Sequence, residues 1–208
     1  MMYFADPMCS WCWGFAPVVS RLVDALGDSM HVQVVLGGLA PGAVQPLSAP
    51  TKVEIRHHWE KVHEQTGQPF DFEFFERESY VYDTEPACRA VVAMRRLRPE
   101  AKLAYLTRIQ EAFHSEGADP TDAWVLRTLA AELGVKRDAF ATVVDELETH
   151  ERTRADFALS RELGVQGFPT MLLVGEGPPR VIAQGYRRYT EILADLEPSD
   201  TELPEVFR

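Results

Sequence analysis

No stretch of this chain approaches the roughly 20 consecutive apolar residues that a bilayer-spanning helix needs, which argues against a membrane-embedded protein. Cysteine is scarce. Three in 208 residues is an odd number and does not make the disulfide framework of a secreted domain. Basic residues are also too few for a nucleic-acid binder: 21 Lys and Arg stand against 32 Asp and Glu, a net charge of −11, and backbone phosphates demand clustered cations. Short basic stretches such as Arg95-Arg96-Leu97-Arg98 read as solvated helix faces. The first residues carry no basic segment, and Asp6 sits where a signal peptide would turn apolar, so the expected compartment is the cytoplasm. Internal repeats, low-complexity tracts and linkers are absent as well. What remains is the composition of an ordinary globular protein, 46% hydrophobic and 25% charged, long enough to bury a core without metal or disulfide staples.

Apolar residues 1–5 end at Asp6-Pro7, a short strand running into a turn. From Ser10 to Leu26, Phe15, Val18, Val19, Leu22 and Leu26 recur at helical spacing and Gly27 supplies the stop, with Pro17 inside as an expected bend. His31–Leu36 alternates, is rich in Val, and closes at Gly37-Gly38, the pattern of a second strand. Residues 49–150 read as helices. Thr51 with Glu54 is a capping box, Thr84 starts another helix, and Asp119 starts a third with Pro120 at the first helical position and Asp122 at the third. A long helical stretch runs from about Asp138 to Leu163. Phe70–Phe75 fits either a strand or an aromatic loop. The β signals return at Thr170–Val174, a tight turn over Gly175–Pro179, and Val181–Ala183 pairing back as a hairpin, before a last helix over Tyr189–Leu196.

The strongest chemical signal is Cys9-Ser10-Trp11-Cys12 at the first strand-to-helix junction. A helix N-terminus offers unpaired N–H groups and the positive end of the dipole, which favour a thiolate, the form that attacks disulfides. Two intervening residues let Cys12 reach the Cys9 sulfur within one turn, so Cys9 is the expected attacker and Cys12 the resolver. Two other readings compete with this one. One takes the pair as two core cysteines, the other as half of a zinc site completed from His57, His58 and His63. No second Cys pair or spaced His pair completes a metal site, so redox chemistry is preferred and no metal is expected. A second signal, Gly164-Val165-Gln166-Gly167-Phe168-Pro169-Thr170, leads directly into the C-terminal strand.

Taken together, Phe4-Ala5-Asp6-Pro7-Met8-Cys9-Ser10-Trp11-Cys12-Trp13-Gly14-Phe15, the segment Thr84-Glu85-Pro86-Ala87-Cys88-Arg89-Ala90 and the Gly167-Phe168-Pro169-Thr170 loop resemble the FrnE-like branch of the DsbA family. The likeness extends over essentially the whole chain. It implies an α/β thioredoxin fold made of 1–48 and 164–208, interrupted by an all-helical insertion over 49–163 whose last helix leads back into the thioredoxin domain. It also implies thiol–disulfide oxidoreductase activity and a cis-proline loop that brings Pro169 opposite the cysteines. Kappa-class glutathione transferases and 2-hydroxychromene-2-carboxylate isomerases are relatives that carry Ser where this chain has Cys9, so disulfide exchange is favoured over glutathione-dependent transfer or isomerisation. Ser10-Trp11 departs from the Pro that relatives often carry first, and the redox poise does not transfer.

The expected catalytic residues are therefore Cys9, Cys12 and Pro169, with Trp11, Trp13, Phe168 and Thr170 as candidate substrate contacts. No bound cofactor is expected, and glutathione is a candidate redox partner. The expected partner is a thiol or disulfide, protein or small molecule. Cys88, set among Ala87, Ala90, Val91 and Val92, reads as a buried structural thiol. Asp6 reads either as a proton carrier beside Cys9 or as a helix cap.

Overall fold

The computed structural model describes residues 1–27, 30–175 and 177–196; Glu176, inside the expected Gly175–Pro179 turn, lies outside the described residues, as do 197–208. The sheet forms from β1 (Met2–Ala5), β2 (Gln33–Leu36), β3 (Thr170–Leu173) and β4 (Arg180–Gln184) in the order β2-β1-β3-β4. β1 and β2 run parallel, and β3 is antiparallel to both β1 and β4. Tyr3, Phe4 and Ala5 are all buried because both faces of β1 are covered, which explains an apolar run in place of alternation. Tyr3, Ala5, Val34, Leu36 and Met171 join the large core, whereas Phe4, Val35 and Leu172 form a smaller cluster with Leu159 and Val165.

Helix α1 (Ser10–Leu26) ends at Gly27, and its apolar stripe packs under the sheet. Pro17 does not interrupt it. Proline lacks the N–H that would bond the carbonyl four residues back, and that carbonyl, on Trp13, instead accepts from Gln68 Nε2 at 3.0 Å. Between β2 and β3 the chain forms α2 (Ala49–Thr66), α3 (Glu85–Leu97), α4 (Lys102–His114), α5 (Ala123–Glu132), α6 (Arg137–Asp145) and α7 (Leu147–Glu162), and α8 (Tyr189–Leu196) closes the chain. α2 and α4 pack on α1, α7 lies against β2, and α3 rests on α4, α6 and α7.

Two expected helix starts shift, and one expected helix divides in two. The cap of α2 is Ser48, whose side chain accepts from Thr51 N, and Pro50 occupies the first turn, so Thr51 and Glu54 lie inside the helix. Asp119 forms a turn by accepting from Thr121 N at 2.9 Å, and Asp122 is the cap of α5, accepting from Trp124 N at 2.7 Å. The stretch from Asp138 is two helices, broken where Glu146 turns extended and pairs with Arg96 at 2.7 Å. Phe72–Glu76 is a short 3-10 turn, not a strand.

The outer edge of β2 does not face solvent. Leu36 N donates to Asp156 Oδ2 at 3.0 Å, Val34 O accepts from Arg95 at 2.8 Å, and Arg95 grips the Asp156 carboxylate through both nitrogens. This pair, bridging α3 and α7, takes the place of a fifth strand and blunts an edge that would otherwise invite pairing with another chain.

The aromatic turn feeds a cluster in which Trp59, Phe70, Phe74, Phe113 and His114 lie with ring centroids 4.7–5.7 Å apart in many of the pairs. His114 is fully buried there, and burial pushes its pKa down from 6.5 to about 3. A depressed folded value means that the unfolded chain binds the extra proton. The stability is fully present above pH 6.5 and drains away as pH falls toward about 3. Denaturant unfolding of the wild type should therefore lose about 2 kcal/mol more between pH 6.5 and 5 than the His114→Leu variant loses, at about 1.4 kcal/mol per pH unit. Equal pH slopes in the two proteins would refute a buried neutral imidazole.

Candidate active site

Cys9 is the N-cap of α1, in extended conformation, and its own backbone N donates to Asp6 O at 3.1 Å. The first turn of α1 carries no acidic residue, so no side-chain carboxylate there competes for the positive end of the helix dipole. Cys9 and Cys12 lie 3.6 Å apart, and both are free thiols. Cys9 keeps 6% of its surface exposed while Cys12 keeps none, which makes Cys9 the thiol a substrate can reach. Burial pushes the Cys12 thiol well up, and the neighbouring Cys9, its hydrogen-bond partner, adds to this. Cys12 therefore holds its proton and needs help to lose it.

The Gly167–Thr170 loop arrives across from the cysteines. The Cys9 thiol donates to the Phe168 carbonyl at 3.5 Å, and the Phe168–Pro169 bond is cis. Pro169 itself is buried and lines no part of the groove described below. Thr170 is buried at the start of β3, where its hydroxyl donates to Gly167 O at 2.8 Å, so it braces the loop and does not face a substrate.

A groove of about 600 Å³ opens beside Cys9, walled by Trp11, Gly167 and Phe168 on one side and by Leu47, Ile55 and His58 on the other. Its far wall belongs to α2 and the loop before it. Trp11 lies at the wall with its Nε1 donating to His58 Nδ1 at 3.4 Å. Trp13 is not a groove residue. It is buried, donates to Pro69 O at 3.0 Å and stacks on His114, because on α1 it points away from the side that carries Trp11. The three α2 histidines do not converge: His63 meets Gln68 O at 2.8 Å, and His57 lies 3.9 Å from Glu60.

Asp6 is fully buried behind the pair. Its Oδ1 accepts from Met8 N at 2.9 Å, and its Oδ2 accepts from Leu39 N at 2.7 Å and from the Cys88 thiol at 3.4 Å; the Thr84 hydroxyl is a further partner. Burial raises its pKa in spite of these donors, and its charge in turn opposes ionisation of Cys12. Cys88 is buried, as expected, but it is not idle in the core. Neither Tyr82, whose hydroxyl bonds to Met8 O, nor the α2 wall of the groove is visible to sequence reasoning. No Cys, His or acidic pattern marks either.

A parallel–antiparallel four-stranded sheet with a Cys-x-x-Cys at the start of its first helix and a cis-proline loop facing it defines a thioredoxin-fold protein. The model of the DSBA-like thioredoxin domain matches residues 2–196, and the chain belongs to that family. Among solved structures it is 37% identical to a Nitrosomonas europaea protein provisionally named a protein disulfide isomerase, with 94% of each chain covered and a TM-score of 0.89. It is 29% identical to the cytosolic disulfide reductase DsbM of Pseudomonas aeruginosa, over 94% of this chain and 96% of that one at TM-score 0.77, and DsbM has also been solved with GSH. The ClpXP adapter protein SpxH of Bacillus subtilis is 24% identical over 97% of this chain and 69% of that protein, and that of Halalkalibacterium halodurans 22% over 93% and 66%. The chain thus spans about two thirds of the length of these adapters. Among the described residues, no helix is long and apolar enough to cross a membrane.

Replacing one Asp6 oxygen by an amide places a donor against the Met8 or Leu39 N–H. Asp6→Asn should therefore lower unfolding free energy by about 1–3 kcal/mol in urea titration. An Asn variant as stable as the wild type would mean that the carboxylate does not hold these segments.

Proposed function

We propose that the chain is a dithiol–disulfide exchange enzyme of the cytoplasm, acting through Cys9 and Cys12. The observation that carries this reading is the reachable thiol at the helix N-terminus with a second, proton-bearing thiol 3.6 Å behind it, set at the end of an apolar groove. The Cys9 thiolate attacks a substrate disulfide R–S–S–R′, forming Cys9–S–S–R and releasing R′S⁻. Cys12 then gives up its proton and attacks the Cys9 sulfur, so the intramolecular disulfide forms and RS⁻ leaves. The substrate is reduced by two electrons and the enzyme is oxidised by two; the reverse sequence oxidises a substrate dithiol. Phe168 presents backbone to an extended substrate, and Trp11 with the α2 wall receives its side chains. The cytosolic DsbM relative supports the compartment.

Glutathione-dependent transfer or isomerisation is a second reading, favoured by the 30% identity to DsbM solved with GSH. Such chemistry needs one thiol near the groove and leaves Cys12 without a task, whereas exchange uses both. An adapter role like that named for SpxH would use neither.

Cys12→Ala should accumulate mixed disulfides at Cys9 when the reduced protein meets a disulfide peptide, detected by intact mass, and Cys9→Ala should show none. Insulin reduction should be lost in both variants. Adducts that form on Cys12 in Cys9→Ala would exchange the two roles, and full turnover by Cys12→Ala would favour the glutathione reading.

A further inference from the structure

Gly37 follows β2, where a glycine pair closing a strand suggests a turn that needs conformational freedom. Its backbone asks for none: Gly38 has φ of +68°, but Gly37 is not among the positive-φ residues, and its N–H continues the β1–β2 ladder to Ala5 O at 2.8 Å. What Gly37 supplies is space. A Cβ there would stand 1.9 Å from Phe168 Cζ, 2.0 Å from Cε1 and 2.7 Å from Cε2. The far edge of the Phe168 ring occupies the volume that any side chain at 37 would fill.

The ring is half-buried and packs against the cluster of Phe4, Val35 and Leu172, so displacing it gives up apolar contact there. Its seat is tied to the chemistry through the same residue's backbone, since the Phe168 carbonyl accepts the Cys9 thiol at 3.5 Å. We propose that Gly37 is a positioning residue for the exchange reaction: by leaving its Cβ volume to the Phe168 ring, it fixes the Phe168 backbone against Cys9. This rests on the exchange reading above. A methyl at position 37 must push the ring by more than about 1 Å before contacts return to van der Waals range. In this proposal the packing on the cluster side passes part of that displacement to the Phe168 backbone, moving its carbonyl away from Cys9 and from the register in which an extended substrate would pair.

The test uses four proteins: wild type, Gly37→Ala, Phe168→Leu and the double variant. Leu keeps the apolar packing but lacks the Cε and Cζ atoms that collide. In the reduced proteins, Gly37→Ala should slow attack on a disulfide peptide on the order of 10²-fold, the usual cost of a 1 Å misplacement. The double variant should return to within about threefold of Phe168→Leu alone, since the clash is gone. A Gly37→Ala rate equal to wild type, or a deficit that persists in the double variant, overturns the proposal. The double variant also guards against loss of folding, because trimming a ring rescues a collision and not a broken strand. If the wild type is inert toward every disulfide, the exchange reading fails alone. The steric claim is then read from Cys9 alkylation by iodoacetamide, expected about fivefold faster in Gly37→Ala through loss of one hydrogen bond and restored in the double variant. Equal alkylation in all four proteins overturns it.

Discussion

Four donors converge on one buried carboxylate, and the arrangement of the site depends on that convergence. Met8 N belongs to the loop that delivers Cys9, Leu39 N to the loop after β2, and Thr84 and Cys88 to the start of α3. These segments are far apart in sequence and would have no reason to meet in one place without a group able to accept from all of them. A carboxylate has about four acceptor positions and no donor, so it satisfies converging N–H, O–H and S–H groups where an amide or hydroxyl would leave one opposed. Burial still pushes the Asp6 pKa up, so the carboxylate is held at a cost that the donors offset. The helical block is thereby fastened to the active-site loop through hydrogen bonds, in addition to apolar contact.

Close approach is the second constraint, and three glycines make it possible. Gly14 on α1 admits Val62 of α2, whose Cγ1 would be 2.6 Å from a Cβ at that position, so α2 lies against the helix that bears both cysteines and becomes a wall of their groove. Gly38 admits the Phe157 ring from α7 at 2.9 Å, and Gly37 admits Phe168. One residue pair after β2 therefore receives a ring from the helical insert and a ring from the cis-proline loop. Cores packed at crystal density leave no slack for a methyl at such points, and this makes the glycines as informative about the site as the cysteines.

These facts explain which parts were legible in the sequence. Cys9 and Cys12 were readable because Cys-x-x-Cys at a strand-to-helix junction is a local pattern with a local physical reason. The bounds of α1 followed from periodicity and Gly27, and the β3–β4 hairpin from its turn residues. Helix starts were displaced wherever two capping residues competed within a few positions: Ser48 with Pro50 prevails over Thr51, and Asp122 prevails once Asp119 is used in a turn. Trp13 was misplaced because adjacency to a cysteine along the chain says nothing of which side of the helix a ring leaves. The α2 wall, Tyr82 and the seat at Gly37 are set by packing between segments some 40 to 130 residues apart, for which a single sequence carries no period.

The electrostatics of the pair follow from the same geometry. Cys9 meets the open N-terminus of α1 on one side and the groove on the other, while Cys12 is enclosed with the Asp6 charge behind it. The two thiols thus differ in environment although they share a turn of helix. A helix dipole and solvent contact act on the outer sulfur; desolvation and a like charge act on the inner one. Tyr3, whose phenol is raised by burial and hydrogen-bonds toward Cys12, encloses the inner sulfur further. In the exchange proposed above, an inner thiol that keeps its proton leaves the outer one to engage substrate first, so the difference in burial between the two sulfurs orders attack before resolution.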